Sequence, residues 1–190
     1  MGQRVPILIR SAKPEDAPDI VRINILGWQT AYQNIYPADK LAQLNEPAEI
    51  ERRIKLSAEF LSSPPKAPYL VAEKDGKIVG ISGCVRNKKP ESEQHYEAEV
   101  KLIYVDPDYF RLGIGRQLIA ASVEGFIGLG WRGLIIWSLI ENPYRKFYEA
   151  LGGEILPYKA DFTAFETAKP LISYGWRDFQ SLINNCRQGV

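Results

Sequence analysis

The chain has 190 residues, of which 45% are hydrophobic and 25% charged, and its 24 basic and 23 acidic residues leave a net charge of +1. This size and composition predict a single domain over residues 1–190, and the near-neutral charge gives no support to binding of nucleic acid or an anionic membrane. Because the 2 cysteines are too few for a disulfide framework and no apolar run approaches the ~18 residues of a membrane span, we expect a cytoplasmic protein.

The first half of the chain predicts one strand, two helices and then two strands. In order, these are a strand over 6–10, helices over 11–32 and 48–61, and strands over 69–73 and 77–85. Pro14 and the acidic residues after it are typical of a helix start. Asp75-Gly76, between the last two strands, is a strong signal for a type I′ hairpin.

The second half predicts four more strands and two helices. The strands are 97–105, 134–140, 155–158 and 171–176, and the helices are 113–127 and 143–151. The continuous apolar run of 134–140 is typical of a strand that is buried on both faces. We expect residues 180–190 to form a frayed tail. The order predicts a mixed α/β domain with a glycine-bearing turn late in the chain.

That turn joins the 97–105 strand to the 113–127 helix, with Gly113 and Gly115 at the helix start. Such a turn leaves backbone N–H groups unpaired at the positive end of the helix dipole, which favours phosphate binding. A dinucleotide fingerprint would need a third glycine at position 118, where Leu118 stands. A P-loop would need Lys and then Ser or Thr after its last glycine, where Arg116-Gln117 stand.

The turn instead resembles the acyl-CoA motif of the GNAT N-acetyltransferases, Gln/Arg-x-x-Gly-x-Gly/Ala. Here it reads Phe110-Arg-Leu-Gly-Ile-Gly115, with a phenylalanine at the usual Gln/Arg position and Arg111 one place later. A second segment, residues 142–153, resembles the family's Asn-x-x-Ala-x-x-Phe-Tyr-x-x-x-Gly-Phe. Its matches are Asn142, Phe147, Tyr148 and Gly152, and its departures are Arg145 and Gly153.

Weaker similarities lie at residues 9–16, 28–32 and 174–178, so that the resemblance covers nearly the whole chain. It implies the GNAT fold, with a mixed, mostly antiparallel central sheet of about six to seven strands flanked by helices. It also implies acetyl-CoA as co-substrate and no metal.

The resemblance further implies which residues bind the cofactor. The backbone amides of 112–116 would hold the CoA pyrophosphate, and the backbone of 103–105 would pair with the pantetheine arm. Arg111 or Arg116 could add a side-chain contact. Asn142 could bind the pantetheine arm; it also precedes Pro143 as a good helix N-cap, and both roles can hold together. The predicted cofactor residues are Ile103, Tyr104, Val105, Arg111, Leu112, Gly113, Ile114, Gly115, Arg116 and Asn142.

Two residues are candidates for acid–base catalysis. By its place in the motif, Tyr148 is the acid that protonates the departing CoA thiolate, with a core aromatic stripe as the alternative. Glu99 is the candidate base, because alternation along the strand places it on one face with Ile103 and Val105. Its alternative is a solvated carboxylate at a strand end. His95, the single histidine, lies in a polar segment and is the weaker candidate.

The acceptor side is predicted from the first long helix. Trp28, Tyr32 and Tyr36 would line the acceptor pocket, with core packing as their alternative. We therefore predict an N-acetyltransferase that transfers acetyl from acetyl-CoA to a primary amine by direct attack in a ternary complex. A homodimer is possible, because dimers are common among similar proteins. The alternative is a non-catalytic CoA-binding sensor on the same fold.

Overall fold

The computed structural model of the protein describes residues 6–63, 66–89, 92 and 94–188. The strands are β1 (Leu8–Ser11), β2 (Tyr69–Lys74), β3 (Lys77–Arg86), β4 (Ala98–Val105), β5 (Leu134–Leu139), β6 (Glu154–Ile155), β7 (Ala160–Ala164) and β8 (Thr167–Trp176). The helices are α1 (Ala17–Tyr32), α2 (Ala38–Ala42), α3 (Pro47–Leu61), α4 (Ile114–Gly128), α5 (Lys146–Ala150) and α6 (Phe179–Arg187).

The strands form one sheet in the order β1-β2-β3-β4-β5-β8-β6, and β7 also pairs with β8. Every pairing is antiparallel except that of β4 with β5. The mixed, mostly antiparallel sheet predicted from the sequence is therefore confirmed. So is the type I′ hairpin between β2 and β3, because both Asp75 and Gly76 have positive φ, at 52° and 72°.

The parallel pair in the middle of the sheet separates soon after it begins. Its register runs only from Ala98–Leu134 to Val100–Ile136, although β4 continues to Val105 and β5 to Leu139. Beyond Val100, β4 stays paired with β3 on its other side. We call the gap between residues 101–105 and 137–139 the β4–β5 cleft, and it positions the site described below.

Helices cover both faces of the sheet. Ile119, Val123 and Phe126 of α4 pack against β4 and β5 in a fully buried cluster. On the other face, Ile20 and Ile23 of α1 pack against β2 and β3. Each buried side chain of this size contributes about 1.5–3 kcal/mol to folding, so these two layers hold the helices against the strands that border the cleft.

Two predictions for the end of the chain are wrong. Residues 179–187 are not a frayed tail: they form α6, in which Leu182, Ile183 and Cys186 are buried. The strand predicted over 155–158 is only Glu154–Ile155, and the unpredicted β7 follows it. Phe165 and Glu166 have positive φ in the β7–β8 turn. Glycine or asparagine at these positions would have indicated a hairpin in the sequence, and neither is present.

Candidate active site

A bulge in β4 decides which way the side chains of this strand point. Val100 lies opposite Cys84 of β3, whereas Leu102 lies opposite Gly83, so Lys101 is an extra residue on β4. An extra residue reverses the alternation of side chains beyond it. Even-numbered residues of β4 before the bulge therefore share a face of the sheet with odd-numbered residues after it.

The bulge places Glu99 on a different face from the one predicted. Val100 before the bulge and Ile103 after it both pack on the α4 side, while Tyr104 packs on the α1 side. Glu99, next to Val100, therefore shares the face of Tyr104. The prediction that Glu99 shares a face with Ile103 and Val105 is wrong, because the alternation is not regular across the bulge.

The carboxylate of Glu99 is buried at the point where the β4–β5 cleft begins. Glu99 is 5% exposed and lies opposite Ile135 in the last paired stretch of the two strands. One carboxylate oxygen accepts a hydrogen bond from Lys101 Nζ at 3.3 Å. The alternative of a solvated carboxylate is therefore wrong, because Glu99 is a buried carboxylate next to the cleft.

The turn before α4 presents a row of unpaired backbone amides. Arg111 and Gly113 both have positive φ, at 65° and 76°, and Gly113 is the N-cap of α4. The first amide of this region that meets a carbonyl is that of Gln117, which donates to Gly113 at 3.0 Å. Within the described ranges, the amides of residues 112–116 donate to no protein acceptor. Such a set at the start of a 15-residue helix can hold an anion.

The side chains around this turn mostly serve to fix it in place. Phe110 rests edge-on against the Tyr144 ring, with the ring centroids 5.6 Å apart, which explains an aromatic residue at the motif's usual Gln/Arg position. Arg116 donates from Nη1 to the Asn185 carbonyl of α6 at 2.7 Å, so this guanidinium nitrogen is engaged within the protein. Arg111 is exposed. Backbone amides thus remain the main groups that this turn offers to a ligand.

The two sequence motifs touch each other at Gly115. A Cβ on Gly115 would lie 3.2 Å from Cζ of Phe147, near the start of α5. A larger side chain would push the second motif away from the start of α4. Asn142 fixes the beginning of that motif, because its Oδ1 accepts from the Tyr144 amide at 2.9 Å and its Nδ2 donates to Ser138 Oγ at 3.2 Å. The N-cap role of Asn142 is confirmed; its contact with a cofactor stays a prediction.

Tyr148 is held in place by a second tyrosine. Its ring lies 5.6 Å from the Tyr174 ring, measured between centroids. The Tyr174 hydroxyl donates to Glu149 Oε1 at 2.9 Å and accepts from Arg145 Nη1 at 3.2 Å. Arg145, which departs from the family's alanine, thus helps to fix the ring that supports Tyr148.

Burial raises the pKa of Tyr148 well above that of a free phenol, and the nearby hydroxyls of Tyr32 and Tyr174 raise it further. Burial and the two neighbouring hydroxyls all favour the neutral form of Tyr148, because each of them disfavours a negative charge on its oxygen. The phenol is therefore protonated throughout the physiological pH range. A group in this state can donate a proton but cannot act as a base.

The predicted acceptor residues Trp28, Tyr32 and Tyr36 form one group with two residues that were not predicted, Phe162 and Phe165, and we call this group the aromatic wall. Trp28 lies 4.9 Å from Tyr32 and 6.0 Å from Phe165 between ring centroids. Tyr36 is only 3% exposed, and burial raises its pKa. The wall therefore joins α1 to the β7–β8 turn, with Tyr36 on its packed interior side.

Tyr104 brings β4 into contact with α1 through its side chain. Its ring lies against Gly27, where a Cβ would come within 2.2 Å of the ring atom Cδ1. Burial raises the pKa of Tyr104 well above that of a free phenol. The sequence prediction gave Tyr104 a backbone role only, and the glycine on the facing helix was the one available signal for this close packing.

Comparisons with known proteins agree with this arrangement. The acetyltransferase (GNAT) domain model matches residues 65–152, from just before β2 to the end of the second motif. The uncharacterized N-acetyltransferase YuaI of Bacillus subtilis (strain 168) is 28% identical over 178 residues, which cover 93% of this chain and 96% of that protein. Residues 65–152 therefore carry an acetyltransferase domain of the GNAT superfamily.

Solved GNAT structures share the fold. The PaiA N-acetyltransferase of Thermoplasma acidophilum, in complex with coenzyme A, matches with a TM-score of 0.67 at 18% identity, over 90% of this chain and 99% of that one. The yncA protein of Salmonella typhimurium, with its cofactor acetyl-CoA, matches with a TM-score of 0.60 at 19% identity, over 90% and 94% of the two chains.

Other features of the chain lie away from the cleft. His95 is exposed just before β4, with its ring 6.4 Å from that of Tyr96. Across the described ranges, no three His, Cys, Asp or Glu residues are grouped so that they could hold a metal ion. In the same part of the chain, every helix falls short of the length and apolarity needed to cross a bilayer.

Proposed function

We propose that this GNAT protein is an N-acetyltransferase that transfers the acetyl group of acetyl-CoA to a primary amine by direct attack in a ternary complex. The observation that carries the proposal is that a row of unpaired backbone amides and a buried phenol lie next to the same two strands. The unpaired amides of 112–116 follow closely after β4, and Tyr148 packs against the buried cluster formed by β4, β5 and α4. The turn that would hold the phosphates and the phenol that would act as the acid are thus both next to the parallel pair of strands, which supports the proposal.

The CoA molecule would bind mainly through backbone groups. The amides of 112–116 would donate to the pyrophosphate, aided by the positive end of the α4 dipole, which is equivalent to about half an elementary charge. The edge of β4 over residues 103–105 faces the β4–β5 cleft and would pair with the amides of the pantetheine arm. This orientation would bring the thioester towards Tyr148.

The reaction then needs a base for the acceptor. An alkylammonium cannot attack a thioester until it loses a proton, and Glu99 would accept that proton directly or through water. The amine nitrogen forms a bond to the carbonyl carbon, and the resulting oxyanion would be stabilised by a backbone N–H near Val105. The carbon–sulfur bond breaks next, with its electron pair on sulfur.

Tyr148 would give its proton to the departing thiolate. A free thiol has a pKa of about 8.5 and a free phenol about 10, so the transfer is uphill in water. Burial raises the pKa of Tyr148, and the same burial would raise the pKa of the CoA thiol, because each loses the solvation of its anion. The two groups therefore stay close enough in acidity for the transfer to proceed.

A covalent acyl-cysteine route has no support in the structure. Cys84 is buried on the α4 side of the sheet, with its sulfur 3.8 Å from Ser82 Oγ. Burial raises the pKa of the Cys84 thiol to about 11, and that of Cys186 to about 11 as well. Neither thiol would supply a thiolate at neutral pH, which favours direct transfer.

The proposal is tested by acetyl-CoA turnover against a panel of amines, including polyamines, amino acids and peptides with free N-termini, with thiol release as the readout. Calorimetric titration of CoA accompanies it. We expect CoA binding together with turnover of at least one amine. Binding of CoA without turnover of any amine would support the sensor alternative instead, and absence of CoA binding would contradict both.

A further inference from the structure

Two buried hydrogen-bond donors have no partner within the protein. In the part of the chain that the structure describes, the buried side-chain polar atoms without a hydrogen bond are the Tyr36 hydroxyl and Trp137 Nε1. Tyr36 as a whole is only 3% exposed. An unpaired buried donor costs free energy, and such groups are rare in folded proteins. A partner that arrives with a ligand would account for both donors.

Both donors lie on the α1 side of β5. Ile136 packs on the α4 side of the sheet, so the alternation of side chains turns Trp137 and Leu139 towards α1. Leu139 shares a buried cluster with Tyr36. Trp137 and Leu139 also lie on the β5 border of the β4–β5 cleft. The two unpaired donors are therefore found beside the cleft, one on β5 and one in the aromatic wall that packs against it.

The proposed base lies on the same face, further back along the strands. Glu99 is the register partner of Ile135, which precedes Trp137 by two residues on that face. Since a strand rises by about 3.3 Å per residue, Trp137 follows Ile135 at about 7 Å and Leu139 follows it at about 13 Å. A carboxylate that can accept a proton is thus at one end of this face, and the unpaired donors are towards the other.

This arrangement suits an amine that also carries a carboxylate. The Trp137 indole nitrogen can only donate, and burial raises the pKa of Tyr36, which keeps its hydroxyl protonated and able to donate as well. Donors form stronger hydrogen bonds with an ionised acceptor than with a neutral one. Lys89 Nζ lies 3.6 Å from the centre of the Trp137 ring, which brings a basic residue to the same side chain. A carboxylate is therefore the best match for the two donors.

Two half-buried rings pack against Tyr36. The Trp28 ring stacks on it at 6.1 Å between centroids, with the planes at 28°, and the Phe165 ring meets it edge-on at 5.6 Å. A ligand would reach the Tyr36 hydroxyl by displacing one of these rings. Such a rotation of a side chain is fast and leaves α1 in place.

We propose that the acceptor carries a carboxylate as well as its primary amine, and that Tyr36 and Trp137 each donate a hydrogen bond to this carboxylate. The inference rests on the proposed function, because it names the class of acceptor for that reaction. The amine lies towards Glu99, which takes up its proton, and the carboxylate lies towards the aromatic wall. Amino acids and short ω-amino carboxylates belong to this class. Tyr36 and Trp137 are then specificity-determining residues that touch the acceptor.

The test compares kcat/KM for amines in matched sets that differ in a single group. Each set contains an amino acid, its carboxamide and the corresponding amine without the carboxyl group. We expect the wild type to prefer the carboxylate about tenfold or more, since hydrogen bonds to a charged group are the stronger ones. Tyr36→Phe and Trp137→Phe should each reduce this preference several-fold, with kcat/KM for the plain amine within about twofold of wild type.

The matched control is Tyr69→Phe, which removes the hydroxyl of a half-buried tyrosine on β2 whose ring packs against Phe60. Because β3 separates β2 from the cleft strands, this variant should keep the wild-type preference. Equal kcat/KM for the carboxylate, the carboxamide and the plain amine in the wild type would overturn the inference and leave the proposed function intact. An unchanged preference in Tyr36→Phe would also overturn it.

Two further readouts need no turnover. Tyr36→Phe should raise the midpoint of unfolding in urea, because the ring stays and the unpaired donor is removed. A lowered midpoint would show that the hydroxyl is satisfied within the protein and would contradict the inference. Calorimetric titration of the CoA-bound protein with the same amino acids measures binding when no amine is acetylated. Binding that Tyr36→Phe weakens about tenfold would support the carboxylate site although the proposed function had failed, and absence of binding would contradict both.

Discussion

The turn at the start of α4 and the aromatic wall are built in opposite ways. The turn offers backbone amides of consecutive residues, 112–116, and one glycine with positive φ shapes it. The wall is assembled from side chains of α1 and the β7–β8 hairpin, which are more than 120 residues apart. The turn depends on local geometry, whereas the wall depends on the fold as a whole.

This difference indicates how the two halves of the site can vary. A cradle of backbone amides tolerates almost any side chain at its exposed positions, as Phe110 and Arg111 illustrate. A wall of packed rings changes shape with each substitution, because protein interiors are close-packed. We therefore expect CoA binding to be robust and acceptor recognition to be sensitive to mutation, and the following experiments examine that contrast.

The largest effect on turnover is expected at Tyr148, which belongs neither to the turn before α4 nor to the aromatic wall. Tyr148→Phe removes the proposed acid and keeps the ring that packs against Tyr174 at 5.6 Å. We expect kcat to fall about 100-fold, as is typical for loss of an acid or base, while the Kd for CoA stays within about twofold. The control is Tyr69→Phe, which removes the hydroxyl of a tyrosine on β2 whose ring packs against Phe60. A change in CoA affinity with an unaltered kcat would instead make Tyr148 a packing residue.

The wall can be disturbed without touching the turn. Gly27→Ala would place a Cβ within 2.2 Å of a Tyr104 ring atom, so the ring or the helix must shift. We expect the free energy of unfolding to fall by about 2 kcal/mol, measured by urea denaturation, because overpacking typically costs about 1–3 kcal/mol.

The matched control for Gly27→Ala is Gly128→Ala at the end of α4, where a Cβ meets nothing within 4 Å. There, alanine should stabilise the helix by up to about 1 kcal/mol. CoA affinity should survive both changes. Equal stability effects at the two glycines would show that the Tyr104 seat on α1 is not tightly packed.

A substitution in the turn before α4 can likewise be made without changing the aromatic wall. Gly113→Ala forces alanine into φ of 76° at a cost of about 1–2 kcal/mol, so CoA affinity should weaken about tenfold if the turn relaxes to avoid the strain. Gly130→Ala meets a similar strain at φ of 72° with no atom near its Cβ. That control should lose stability but keep CoA affinity, and equal CoA affinities for both variants would contradict the role of the turn.

The sequence allowed the fold and the turn to be predicted because their signals are local. Gly113, Gly115 and the hydrophobic periodicity of the flanking elements lie within a few residues of each other. The reversed face of Glu99 could not be predicted in this way, because a bulge is a property of two paired strands. Gly83, inside the apolar pattern of β3 beside the shifted register, was the one hint available.

The aromatic wall was predicted only in part for a related reason. Trp28, Tyr32 and Tyr36 lie on one short stretch of sequence and could be grouped. Phe165 could not, because it occupies a turn with φ of 50°, a conformation that a bulky residue adopts only when packing holds it there. Its contacts with Trp28 and Tyr36 supply that packing, and they exist only once the chain has folded.

The smallest expected effect concerns the entry to α1, which carries the wall. Arg10 of β1 donates two hydrogen bonds to Asp16, at 2.7 and 2.9 Å, and this contact holds the pKa of Asp16 below its ordinary value. A group with a lowered pKa in the folded state stabilises the protein above its unfolded pKa of about 3.9, and that stability is lost as the pH falls through the folded value. Asp16→Asn should therefore destabilise the protein by about 1–2 kcal/mol near neutral pH, and the difference from wild type should shrink below about pH 4.

Urea denaturation of wild type and Asp16→Asn at neutral and acidic pH measures this difference. The control is Asp19→Asn, whose partner Arg22 is half exposed, and whose loss should cost at most about 1 kcal/mol at any pH. If Asp16→Asn also lowers turnover while the Kd for CoA is unchanged, the anchoring of α1 matters for the acceptor side alone. Equal losses in turnover and in CoA binding would mean that the turn and the wall are coupled through α1. That result would contradict the view that the turn depends on local geometry and only the wall on the fold as a whole.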